Sequence, residues 1–241
     1  MNKKIIMAIF VVLLLIVGYG LFYVNDYYHA EKIAVDSLNS SSNVSAIKTS
    51  NGMLLDGPGN DTALIFYPGA KVEYTSYAPL FMNLSSQGID CYLVEMPFNL
   101  AFLGQNSADE IIDDGNYSHY FLSGHSLGGA MAASYINSTN KTDGLILFAS
   151  YSTCEIEKPV LSLYGSEDKV LNIEEYNKSK VFIDDNLTEF EITGANHAQF
   201  AYYGNQSGDG IAKISAESQQ KQCVGQIINF ISGVLNKEIS H

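Results

Sequence analysis

Cysteine is scarce, with three in 241 residues. Cys91, Cys154 and Cys223 are far apart and none belongs to a C-x-x-C pair, so metal-ligand spacing is absent. Positive charge is scarce as well. Thirteen basic residues, all lysine, face 26 acidic ones, and the net charge is -13. No basic patch exists to track a phosphate backbone, which argues against a nucleic-acid partner. The acidic surplus reads as a solubility feature and repels anionic headgroups. Tryptophan is absent, so any interfacial aromatic must be tyrosine or phenylalanine. There is no internal repeat.

One long apolar run is present. Lys3 and Lys4 precede an uncharged stretch from Ile5 to Val24. Its length, about 20 residues, spans a hydrocarbon core of about 30 Å as a helix. Tyr19, Phe22 and Tyr23 suit the far interfacial belt. A secretory signal has a shorter apolar core and an A-x-A-like cleavage site, which Tyr28-His29-Ala30 fits poorly. A retained single-pass anchor is therefore expected, with a secreted chain as the alternative if the segment is cleaved. Lysines on one flank, against Asp26 and Glu31 on the other, predict a cytoplasmic N-terminus and the remainder outside the cell membrane. Ten asparagines begin N-x-[ST] triplets: Asn39, Asn43, Asn60, Asn83, Asn116, Asn137, Asn140, Asn177, Asn186 and Asn205. Chance at this composition gives about three. Glycosylation of an outward-facing domain and a bias toward asparagine turns both account for the excess.

Residues 25–58 read as a polar connector with Ser40-Ser41-Ser42 and with edge strands as an option; residues 59–241 read as one large-core domain. Strands and helices alternate there. Strands are expected at Ala63–Tyr67, Asp90–Met96, Tyr117–Leu122, Leu145–Ala149, Val160–Tyr164 and Phe190–Ile192. Helices are expected at Tyr77–Leu84, Ser107–Asp113, Leu127–Ile136 and Ile173–Tyr176, with a last one from about Ala216 to Leu235. This pattern implies an α/β fold, a mostly parallel sheet covered on both faces. Val224, Ile227, Ile228, Ile231 and Val234 form the core-facing stripe of the last helix. Cys91 falls in a strand as a core residue; Cys154 and Cys223 either pair, in an oxidising compartment, or stay free thiols.

The chemistry-bearing signal is Gly124-His125-Ser126-Leu127-Gly128-Gly129, between a strand and a small-residue helix. G-x-S-x-G in that context is a sharp turn that exposes a serine hydroxyl; bulky neighbours would clash. The helix start also supplies a positive dipole and the Leu127 N–H where an oxyanion would form. A serine needs a base, and the base needs an orienting acid. Only His197 and His241 follow Ser126 among the five histidines, and His241 is the terminal residue. His197, in a loop after a strand, is the expected base. Glu167 and Asp168 are adjacent beyond Val160–Tyr164, so one alone can face the histidine; Asp168, between the Gly165 turn and Val170, is the expected acid. A second oxyanion donor is expected after Ala63–Tyr67, in Pro68-Gly69-Ala70-Lys71-Val72. Ala70 N–H is the first choice and Lys71 the competitor; no H-G-G-G run is present.

Together these stretches, with Phe66 to Glu73, Met96 to Ala101, Gly165 to Val170 and Gly194 to Phe200, resemble the α/β-hydrolase superfamily. More narrowly they resemble its small dienelactone hydrolase-like group, which lacks a separate cap domain. The resemblance spans roughly residues 60 to 235 and implies Ser126 as nucleophile, Asp168 as acid and His197 as base, with no metal or organic cofactor. Dienelactone hydrolase proper carries a cysteine where this chain has Ser126, which favours a small-molecule carboxylic ester as substrate. The resemblance places Met96–Leu103 beside the pocket, with Phe98, Leu100, Phe102 and Leu103 as either an acyl-binding wall or core packing. The loop Tyr202–Gly210 reads as a pocket cover or a surface turn. Acyl transfer to another acceptor would use the same triad, and a vestigial binding protein is the reading from another class. Oligomeric state is not encoded in any motif.

Overall fold

The computed structural model describes residues 2–39, 43–59, 61–115 and 117–238. Ser40–Ser42, two triplet asparagines (Asn60 and Asn116) and His241 lie outside the described residues. The other eight triplet asparagines are exposed.

Eight strands form one sheet: β1 (Ser45–Thr49), β2 (Gly52–Asp56), β3 (Thr62–Tyr67), β4 (Asp90–Val94), β5 (His119–His125), β6 (Gly144–Phe148), β7 (Val160–Gly165) and β8 (Leu187–Ile192). Their spatial order is β1-β2-β4-β3-β5-β6-β7-β8. β1 and β2 form an antiparallel hairpin, β2 pairs antiparallel with β4, and all later neighbours are parallel. The optional edge strands of the connector are thus this hairpin. Every residue of β3 and of β6 is buried, as expected for strands covered on both faces.

Alternation along β3 sorts the two cores. Leu64 and Phe66 point into one layer, Ala63, Ile65 and Tyr67 into the other. The first layer is covered by α2 (Lys32–Ser37), α3 (Ala78–Ser85) and α7 (Ala216–Glu238). The second is covered by α4 (Ala108–Asp114) and α5 (Leu127–Ile136), and by α6 (Ile173–Ser179), whose Tyr176 hydroxyl is hydrogen-bonded with Ser162 Oγ of β7 at 2.9 Å. Val224, Ile227, Ile231 and Val234 of α7 are buried, as the stripe predicts. All three cysteines are free, and the pairing of Cys154 with Cys223 does not occur. Cys223 is in the α7 layer, whereas the Cys154 thiol lies 3.7 Å from the Ala133 carbonyl of α5, across the sheet.

The chain leaves β3 toward β4 on one side and returns to place β5 on the other. The carboxyl ends of β3 and β5 therefore bracket a switch point, where open α/β sheets form their crevice. β5 extends to His125, three residues beyond the Leu122 boundary expected from apolar patterning, because Ser123 and Gly124 continue the ladder against Phe66 and Tyr67. That extension carries the serine turn to the edge.

The apolar N-terminal segment is α1 (Lys3–Asn25), 23 residues with no buried residue, within which an 18-residue stretch has mean hydropathy 2.9. By length and composition it can cross a membrane.

Candidate active site

Ser126 stands between β5 and α5 with φ 53° and ψ −122°, a backbone conformation rarely adopted by residues with a side chain. Its surroundings hold it there. Ser126 N–H donates to the Phe148 carbonyl at 2.9 Å, and its carbonyl accepts from Ser150 Oγ at 2.7 Å. Two glycines make the turn possible. A Cβ on Gly124 would lie 2.5 Å from Gly128 backbone atoms, and one on Gly128 would lie 2.2 Å from the Tyr67 carbonyl. The close approach at Gly128 brings the start of α5 against the end of β3.

His197 and Asp168 arrive from loops after β8 and β7. His197 Nδ1 is 2.8 Å from Asp168 Oδ2, and both side chains are almost wholly buried. The other carboxylate oxygen, Oδ1, accepts the Val170 and Leu171 N–H groups, each at 2.8 Å. Hydrogen bonds to a charged acceptor contribute about 1.5–3 kcal/mol each, so these two hold the acid in place. Glu167, its neighbour, turns outward to Lys213 at 2.7 Å. Ser126 and His197 line one cavity of about 320 Å³, together with Leu127, Ala130, Tyr151, Val170 and Leu171.

The loop after β3 gives the two expected donors different surroundings. Lys71 N–H already donates to the Asn99 carbonyl at 2.7 Å. Gly69 N–H donates to the Tyr77 hydroxyl at 3.1 Å. Between them, Ala70 N–H has no acceptor among the described hydrogen bonds. Residues 63–221 match the model of the alpha/beta hydrolase family.

The chain belongs to the alpha/beta hydrolase family. No protein of curated function matches its sequence. Solved structures share the fold at low identity. A predicted hydrolase from Thermoplasma acidophilum aligns with TM-score 0.55 at 15% identity, over 77% of this chain and 97% of that one. A carboxylesterase from Bacillus subtilis aligns with TM-score 0.55 at 12% identity, over 90% and 98%. A ferulic acid esterase from Streptomyces cinnamoneus aligns with TM-score 0.58 at 15% identity, over 72% and 67%.

In this alpha/beta hydrolase, the Met96–Leu103 segment is neither an acyl wall nor wholly core. Leu100 is buried, whereas Phe98, Phe102 and Leu103 are 62%, 53% and 49% exposed, and none lines the serine cavity. Tyr202–Gly210 does not cover the cavity either. It braces the turn after His197, with Asp209 Oδ2 accepting Ala198 N–H at 2.9 Å.

Sequence reasoning passed over several supporting residues. Gln219 of α7, fully buried, accepts Asn196 N–H at 3.2 Å and donates to the Asn196 carbonyl at 2.9 Å, pinning the residue before His197. Tyr77 accepts from Gly69, which leaves its own hydrogen for His125 Nδ1 at 2.8 Å. Burial, and then the nearby His197 ring 4.4 Å away, hold the His125 pKa well below its ordinary value. A polar residue on a fully buried strand was the one available signal for His125; nothing in the sequence marks Gln219 or Tyr77.

Proposed function

We propose that this alpha/beta hydrolase is a membrane-anchored serine esterase, in which Ser126, His197 and Asp168 form the triad and the N–H groups of Leu127 and Ala70 form the oxyanion hole. The observation that carries the reading is a strained serine sharing a cavity with a histidine whose far nitrogen is held by a buried carboxylate. His197 Nε2 takes the Ser126 hydroxyl proton as Oγ attacks the ester carbonyl carbon. The carbonyl oxygen becomes an oxyanion, met by two backbone donors that develop no competing bond. Collapse breaks the acyl C–O bond, and the alkoxide leaves with the proton from His197. Water then attacks the acyl-enzyme by the same route and releases the carboxylic acid and free Ser126. Asp168 orients the imidazole and stabilises its charged form. Lys3 and Lys4 at the start of α1 favour a cytoplasmic N-terminus and an outward-facing hydrolase.

The test is fluorophosphonate labelling of the full chain in detergent, beside Ser126→Ala, with a p-nitrophenyl ester chain-length series. Labelling and turnover present in the native chain and lost in the variant support the esterase. A folded native chain that neither labels nor turns over any ester overturns it.

A further inference from the structure

The end of α1 is tied directly to the loop that carries Ala70. Asp26, which caps α1, pairs with Lys71 at 2.8 Å, and the Lys71 ammonium lies 4.5 Å from the centre of the Tyr23 ring. Tyr28 N–H donates to the Lys71 carbonyl at 2.7 Å, and Glu73 N–H donates to the Tyr28 carbonyl at 3.0 Å, so Tyr28 runs as a short parallel bridge beside Val72. Helix α1 also touches the Pro97–Asn99 turn. From Asp26 to Tyr28 is three residues, at most about 10 Å of chain. The headgroup layer on each side of a bilayer is about 5–8 Å thick. A helix whose apolar residues fill the hydrocarbon core therefore holds the carboxyl edge of the sheet, with the serine turn on it, at the membrane surface.

The rim on that edge is built for such a surface. Met96 to Ala108 contains no charged side chain, in a chain with 39 charged residues. Phe98, Phe102 and Leu103 project from this rim into solvent, and Phe98 does so from φ 54°, a conformation that costs a bulky residue about 1–3 kcal/mol. Ala101–Leu103 packs on α5, the helix that starts at the nucleophile. An uncharged, aromatic rim continuous with the end of a membrane-spanning helix matches the chemistry of the lipid interface.

We propose that Phe98, Phe102 and Leu103 insert into the leaflet from which α1 emerges, so that the active site opens on the bilayer surface and its substrate is the carboxylic ester of an amphiphile resident in that membrane. The substrate class rests on the esterase reading of the site; the insertion rests on α1 and the rim alone. Two measurements on the full chain in phosphatidylcholine vesicles separate them. Because the chain has no tryptophan, Phe102→Trp in a Ser126→Ala background introduces a single tryptophan at the rim, excited selectively over tyrosine, and Asn229→Trp in the same background places one at the opposite edge. Brominated phosphatidylcholine quenches the first strongly and the second little. Equal quenching of the two overturns insertion, whatever the enzyme hydrolyses. The second measurement compares F102S/L103S with the native chain, on a diacylglycerol in ether-lipid vesicles and on p-nitrophenyl acetate in solution. The loss of kcat/KM on the vesicle substrate exceeds the loss on the soluble ester by at least tenfold. Equal losses overturn the assigned substrate class, and a chain that fails to label with fluorophosphonate sinks the esterase reading without touching the quenching result.

Discussion

The two edges of the sheet share the same strands and differ in how their loops are held. At the carboxyl edge, the loops after β3, β4, β5 and β6 contain Lys71, Phe98, Asn99, Ser126 and Ala149, all at positive φ. Among the described residues, only Asp184 is a further non-glycine residue of this kind. The amino edge carries a larger cavity, about 570 Å³ against about 320 Å³ at the serine, lined by residues such as Thr142, Lys158, Pro159, Asn186 and Phe230. The larger cavity is thus not the one that Ser126 and His197 line. Each strained residue costs about 1–3 kcal/mol and persists only where neighbouring bonds over-determine it. The carboxyl edge has such bonds: Phe148 and Ser150 on Ser126, Asn99 on Lys71, Tyr77 on Gly69. Constrained backbone and a buried polar pair distinguish the serine edge; space does not.

The sharpest break is at Asp168. Asp168→Asn can still accept the Val170 and Leu171 N–H groups, so the loop survives, but the charge that stabilises imidazolium is lost. The expected fall in kcat is about a thousand- to ten-thousandfold with an unchanged melting profile; a fall under tenfold removes Asp168 from the triad. Next is Tyr77→Phe, which leaves the buried Gly69 N–H and His125 Nδ1 without their hydroxyl. Unpaired buried groups cost about 1–3 kcal/mol each, and about 2 kcal/mol lowers the melting temperature by about 4–8 °C. Gly69 adjoins Ala70, so kcat is also expected to fall about tenfold; unchanged kcat at lowered stability separates this hydroxyl from the oxyanion loop.

A smaller effect tests the buried His125. Its folded pKa lies below the ordinary 6.5, chiefly through burial. The unfolded chain takes up this proton below pH 6.5 and the folded chain resists. The contribution is complete above pH 6.5 and is lost as pH falls, by up to about 1.4 kcal/mol per unit. Denaturant unfolding from pH 7 to 5 is expected to show a shallower loss in His125→Gln; parallel curves would show that the ring does not govern the acid limb. The smallest effect belongs to the amino edge. Thr142 is buried, and its hydroxyl has no hydrogen-bond partner among the described residues. Thr142→Val is expected to keep kcat/KM within about twofold and to hold or slightly raise the melting temperature. A large activity loss there would dissolve the distinction between the edges.

The alternation of buried strands and amphipathic helices was legible from hydrophobic period, because β3, β6 and α7 each meet their environment through local spacing. Ser126 and His197 were legible because the turn needs small residues at fixed offsets and because only two histidines follow it. The boundary of β5 was missed, since Ser123 and Gly124 read as loop yet pair with β3. The exposure of Phe98, Phe102 and Leu103 was also missed, because an apolar residue on a rim and one in a core have the same local signature.

The residues of the site, their order and the length of α1 are properties of local pattern: turn geometry, strand and helix period and membrane thickness each act over a few to about twenty neighbours. Which N–H at 69–71 remains free, which acid oxygen meets the histidine, which cysteines lie on opposite faces and which edge α1 adjoins depend on contacts between segments far apart in sequence. Lys71 meets Asn99, Asp168 meets His197 and Tyr28 meets Val72. Those pairings are chosen by the packing of two layers on one sheet, where a buried backbone N–H left without an acceptor is costly, and no local window contains both partners.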